Sequence, residues 1–184
     1  MNMTTDDAPS YTAKDAGLRS TDANGESTVT GCTVTIAKPA QEIYDFWRKF
    51  SNLQKVMENI VEIVELDDRR SRWTVKGPTG NYEWIARVTE DRPGRMIAWE
   101  AEEGAEVKNS GRVTFEPARP DSRGTTVTAV IGYTPPGGLI GKVVGKLTQR
   151  EPAIQQRRDL RRLKMLMETG EIATSTPPNP SPAS

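Results

Sequence analysis

Ser71-Arg72-Trp73-Thr74-Val75-Lys76, then Gly77-Pro78-Thr79-Gly80, then Asn81-Tyr82-Glu83-Trp84-Ile85-Ala86-Arg87-Val88-Thr89: this stretch decides the fold. Ser71, Trp73 and Val75 fall on one side and Arg72, Thr74 and Lys76 on the other, the two-residue period of a strand with one buried face. Gly77 to Gly80 carries turn residues. Tyr82, Trp84, Ala86 and Val88 then alternate with Asn81, Glu83, Arg87 and Thr89, and only Ile85 intrudes on the polar side. Two such strands joined by a tight turn pair antiparallel.

The alternation continues toward the C-terminus. Arg92-Pro93-Gly94-Arg95 has Pro and Gly where a type II turn needs them. Met96 to Glu100 is a short strand with Ile97 and Trp99 together. Val107, Asn109, Gly111, Val113 and Phe115 share a face of the next strand. After a turn-rich loop at 117–124, Thr125, Val127, Ala129, Ile131 and Tyr133 share a face of a long last one. Pro135-Pro136-Gly137-Gly138 breaks it. Leu139, Ile140, Val143, Val144 and Leu147 then recur at helical spacing. Pro152 kinks or restarts the helix, and Ile154, Leu160, Leu163, Leu166 and Met167 carry the apolar side on to Gly170. The whole segment is about 30 residues, up to roughly 45 Å if straight, enough to lie across a sheet.

Toward the N-terminus, Ile60 to Leu66 fits both a helical stripe and an alternation; its β-branched content assigns it to a strand, with Asp67-Asp68-Arg69 as a hairpin turn. Pro39 opens a short amphipathic helix whose Ile43, Phe46, Trp47 and Phe50 face inward. Ser51 or Asn52 caps a second short helix around Leu53 to Met57. Val29 to Ile36 is a first strand, with Cys32 pointing the same way as Val34 and Ile36. The expected fold class is α+β: a curved antiparallel sheet of about seven strands, two short helices, and a long C-terminal helix packed across the sheet.

Residues 1–28 are Thr-, Ser- and Asp-rich without apolar period, and read as a disordered or loosely ordered tail. Residues 171–184 carry Pro177, Pro178, Pro180 and Pro182, and read as a second disordered tail. One domain is expected over 29–170.

Lys plus Arg and Asp plus Glu are both 25, and histidine is absent. With Cys32 the only cysteine, the chain excludes a Cys/His zinc site, a His-based triad, a Cys-His nucleophile and an internal disulfide. No metal or cofactor is expected. Zero net charge argues against a general nucleic-acid partner. A polar, acidic start without an apolar core, no long apolar run and a lone thiol point to a cytoplasmic protein with no transmembrane segment.

Several segments resemble a known family: Val34-Thr35-Ile36-Ala37-Lys38-Pro39 leading into Ile43-Tyr44-Asp45-Phe46-Trp47-Arg48; Asn52-Leu53 and Met57-Glu58-Asn59-Ile60; Trp73 to Pro78; Ile97-Ala98-Trp99; Gly111 to Phe115; and Asp159 to Lys164. Together they are similar to the START-like superfamily, in its polyketide cyclase/dehydrase and coenzyme-Q-binding-like branch, over about residues 29–170. The resemblance implies the helix-grip fold and a cavity between sheet and C-terminal helix that takes a hydrophobic ligand. Similar proteins often carry His where this chain has Asn59, so one ionisable group is missing here.

If the sheet curls round a cavity, one alternating face lines it: Trp73, Tyr82, Trp84, Trp99, Asn109, Val113, Phe115, Ala129, Ile131 and Tyr133, with Leu139, Val143 and Leu147 from the helix. The same rings also suit a solid core. Asn109, an amide on an apolar face, needs a partner: a ligand oxygen or a neighbouring backbone group. The first functional reading is binding, transport or sensing of a lipid, isoprenoid or aromatic compound, with the loops at 101–106 and 134–139 as candidate gates. The second is a cyclase/dehydrase, whose proton acceptor is sought among Glu83, Glu100 and Glu116 and whose donor among Tyr82, Tyr133 and Arg112; these read equally as solvated sheet residues. The third is docking to a protein or anionic membrane through Arg157, Arg158, Arg161, Arg162 and Lys164, which read equally as the wet face of a helix.

Overall fold

Strand β1 (Thr28–Ile36) turns Cys32, Val34 and Ile36 inward, and all three are buried. In the computed structural model, residues 28–77, 80–118, 124–134 and 151–173 are described; both tails and the helical segment expected at 139–150 lie outside them. Helix α1 (Ala40–Arg48) follows, with Pro39 just before it and Ile43, Tyr44 and Trp47 buried. The second short helix is a 3-10 helix, Phe50–Lys55, earlier and tighter than expected, and no side chain caps its start. Asn52 serves α1 instead: its Nδ2 donates to the Phe46 carbonyl, 3.1 Å away, one of the acceptors a helix end leaves open.

The meander runs β2 (Ile60–Glu65), β3 (Arg70–Gly77), β4 (Gly80–Arg92), β5 (Met96–Ala101), β6 (Lys108–Pro117) and β7 (Thr125–Thr134). Neighbours in sequence are neighbours in the sheet, and β1 closes the order beside β7, giving β1-β7-β6-β5-β4-β3-β2, all antiparallel. The register sets Trp73 opposite Trp84, Val88 opposite Trp99, Trp99 opposite Gly111 and Gly111 opposite Ile131. One continuous inner face follows from the period of two.

Helix α2 (Glu151–Thr169) lies on this face, with Leu160 and Leu163 buried. It ends at Gly170, whose φ of 79° is the left-handed value a helix stop uses. Its seat is β1 and β7. Gln156 Nε2 donates to the Ala129 carbonyl at 2.8 Å, the Cys32 thiol to the Ala153 carbonyl, Lys164 to the Thr35 carbonyl, and the Ala37 N–H to Glu168 at 2.7 Å. The fold is the helix grip: a curved antiparallel sheet, two short helices and a long helix across it.

Candidate functional site

A cavity of about 160 Å³ sits where the inner face of β3–β7 meets α1, the 3-10 helix and α2. The strands supply Trp73, Val75, Trp84, Trp99, Asn109 and Ile131. The helical corner supplies Trp47, Phe50, Leu53, Met57, Asn59 and Ile60. From α2 comes Asp159. The chain has four tryptophans, and all of them line this cavity.

The rings brace one another. Trp73 and Trp84 stack at 6.1 Å with planes 15° apart, and Phe50 tilts against Trp73 at 5.9 Å. Trp73 Nε1 donates to the buried Ser71 hydroxyl at 2.9 Å. Trp99 Nε1 donates to Asn109 Oδ1 at 2.9 Å. The half-buried amide of Asn109 thus finds an indole, not a backbone group. Trp99 lies flat over Gly111: a Cβ there would come within 2.3 Å of its ring. The indole nitrogens of Trp47 and Trp84 are buried without a hydrogen-bond partner among the described residues.

Asp159 is the one ionisable side chain among the described residues lining the cavity. Gln155 Nε2 donates to its Oδ1 at 2.9 Å, and the backbone N–H of Glu58 also serves it. Burial nevertheless pushes its carboxyl up to about 6, against the opposing pull of those hydrogen bonds and of nearby Arg162. Arg162 itself is spent on the Val56 carbonyl at 2.9 Å and on Glu58 at 2.7 Å, tying α2 to the segment after the 3-10 helix.

The other sequence candidates lie elsewhere. Val113 and Phe115 are buried beneath α1, with Phe115 edge-on to Tyr44 and Trp47, and Ala129 is buried beside them in the core. Tyr82 is half-buried over Gly77, outside the cavity lining. Tyr133 belongs to β7, but its side chain, like Leu139, Val143 and Leu147, lies outside the described residues. Glu83, Glu100 and Glu116 are exposed, and Glu83 and Glu100 bond Thr74 and Arg87. On α2, Arg157, Arg158 and Arg161 are exposed, while Arg162 and Lys164 are half-buried and turned to the body. The acidic loop is held by the Glu102 N–H to the Ile85 carbonyl at 2.8 Å and by its carboxylate to Arg70; the 134–139 loop is described only at Thr134.

Sequence reasoning missed Trp47, Phe50 and the 57–60 corner because their helical stripe reads as ordinary core. It missed Asp159 because its neighbours Arg157, Arg158, Arg161 and Arg162 make the stretch look wet.

A model of the family described as polyketide cyclase/dehydrase and lipid transport matches residues 36–158. The chain belongs to that family. Like this chain, a Deinococcus radiodurans protein of solved structure, DR_A0006, carries the fold: it is 40% identical, with a TM-score of 0.64, over 78% of this chain and 100% of its own. An uncharacterised 17.2 kDa protein of Streptomyces lincolnensis is 26% identical over 74% of this chain and 87% of its own. The di-domain ARO/CYC protein BexL of the BE-7585A biosynthetic pathway is 21% identical, with a TM-score of 0.54, over 74% of this chain and 45% of its own, a likeness of fold. Membership in the polyketide cyclase/dehydrase and lipid transport family agrees with a hydrophobic-ligand-binding or transport role. Among the described residues, no helix is long and apolar enough to cross a membrane.

Proposed function

We propose that the protein binds a small hydrophobic ligand, of the lipid, isoprenoid or aromatic kind, in the tryptophan-walled cavity, and carries or senses it. One observation carries this reading: four tryptophans from α1, β3, β4 and β5 converge and still leave about 160 Å³ between them. An apolar cavity of about 150 Å³ accepts a benzene-sized body, so the space fits one ring or a short branched chain.

A cyclase/dehydrase needs a proton acceptor and a donor on one substrate. The described lining offers Asp159 but no Tyr, Lys or Arg beside it, and this favours binding over catalysis. Native mass spectrometry of the freshly purified protein tests the reading, beside a titration of the indole fluorescence with small apolar compounds. A retained mass lost on denaturation, or saturable quenching, is the expected result. A clean apo mass together with unresponsive fluorescence across lipid, isoprenoid and aromatic probes overturns it.

A further inference from the structure

We infer that the cavity selects ligands carrying a positively charged nitrogen on an apolar body, held between the indoles and the Asp159 carboxylate. The inference rests on the binding reading and narrows its ligand class.

The described lining has one charged side chain, and its sign is negative. Its other polar groups, the amides of Asn59 and Asn109, are neutral. Arg162, whose charge acts on Asp159, gives its hydrogen bonds to Val56 and Glu58. A ligand carboxylate therefore meets a like charge in a poorly solvated space. A neutral ligand leaves the Asp159 charge with only the Gln155 and Glu58 donors and the pull of Arg162, which do not offset its burial. An ammonium group meets an opposite charge and the negative faces of the rings, the combination that recognises alkylammonium groups in aromatic cages.

The charge of Asp159 is also more than the packing requires. Gln155 Nε2, which donates to Asp159 Oδ1, is a donor that a neutral Asn oxygen would also satisfy. Burial of the charged form works against folding here, as the carboxyl's upward shift to about 6 records. A charge that costs stability, that its hydrogen bonds do not need, and that borders an aromatic cavity suits an external cation. The charged groups around it are Glu58, which disfavours the carboxylate, and Arg162, which favours it.

The test uses three probes with one aromatic body: 2-phenylethylamine, 2-phenylethanol and phenylacetate. Each is titrated into the full chain by calorimetry and indole fluorescence at pH 7.5. The amine is expected to bind about tenfold tighter than the alcohol, with phenylacetate weakest. In Asp159→Asn the ratio of amine to alcohol affinity should fall to about one. In the wild-type chain the amine's advantage should also shrink at pH 5, where Asp159 is protonated; this arm needs no variant to fold. An alcohol that binds as well as the amine at pH 7.5, or an advantage that survives both the substitution and pH 5, overturns the cation inference and leaves the hydrophobic-ligand reading standing. Failure of all three probes in the wild-type chain overturns the cation inference; the hydrophobic-ligand reading falls only if the native mass is also clean and the lipid and isoprenoid probes also fail.

Discussion

Gly111 shows how one missing side chain makes a cavity wall. Trp99 lies where the Cβ of any other residue would stand, 2.3 Å from Cζ2 and 2.7 Å from Cε2. Gly111→Ala must therefore displace the indole and break its bond to Asn109. The expected cost is about 1–3 kcal/mol in a urea melt, with a shifted indole emission maximum; an unchanged emission spectrum would contradict this placement of Trp99. Asp159 makes a second prediction, on pH. Its carboxyl is pushed up to about 6 from an ordinary 3.8, so between those limits the folded state binds more protons than the unfolded one. Stability from this group therefore falls as pH rises through that window. Asp159→Asn removes the penalty, and should be more stable than wild type by about 1–2 kcal/mol at pH 7.5, with the difference fading toward pH 4. A variant destabilised at pH 7.5 but not at pH 4 would show that the charge is structurally required. The period of two was enough to find Trp73, Trp84, Trp99, Asn109 and Ile131. It was not enough for Asp159, since what encloses that residue is the turn at 57–60, about a hundred positions away, and no local pattern records such a contact.

At the scale of elements, the informative irregularity is in β4. The register slips between Val88 and Glu90, so the alternation changes phase in mid-strand. Asp91 consequently faces inward beside Ile97 and accepts from Tyr44 Oη at 2.6 Å and from Arg48 Nε at 2.7 Å. One carboxylate thereby fixes α1 on the sheet, and α1 carries Trp47 into the cavity. Burial, reinforced by Asp91, pushes the Tyr44 phenol up to about 12. Asp91→Ala is expected to cost about 1–3 kcal/mol and to return the phenol toward its ordinary range, read by ultraviolet titration. A phenol that still titrates late in that variant would assign the shift to burial alone. No Gly or Pro marks the bulge, so strict alternation carried past Thr89 puts Asp91 on the wrong face. The edge strand β2 is a different case: Val61, like Leu66 just after it, is exposed, and only Ile63 is deeply buried. Its apolar content was ambiguous because an edge strand does not need a clean period; β-branching decided it correctly.

At the scale of the molecule, the order of strands and helices was readable because a meander pairs neighbours, whereas the closure of β1 on β7 is a pairing about a hundred residues apart that only a fold-level resemblance anticipates. That closure governs what can be removed. β1 buries Cys32, Val34 and Ile36, and it is also the floor on which α2 rests through Thr35 and Ala37. At about 1.5–3 kcal/mol per large buried side chain, losing Val34 and Ile36 together with the anchoring of Leu160 and Leu163 approaches the whole stability of a domain, about 5–15 kcal/mol. A chain beginning at residue 37 should therefore lack a cooperative melt. A chain of residues 28–173 keeps every strand and α2, and we propose that it holds the complete folding unit. Its melting temperature should match that of the full chain to within a few degrees, and its probe affinities should be unchanged. A large drop in either quantity would show that 1–27 or 174–184 contributes contacts to the domain, and would move its boundary outward.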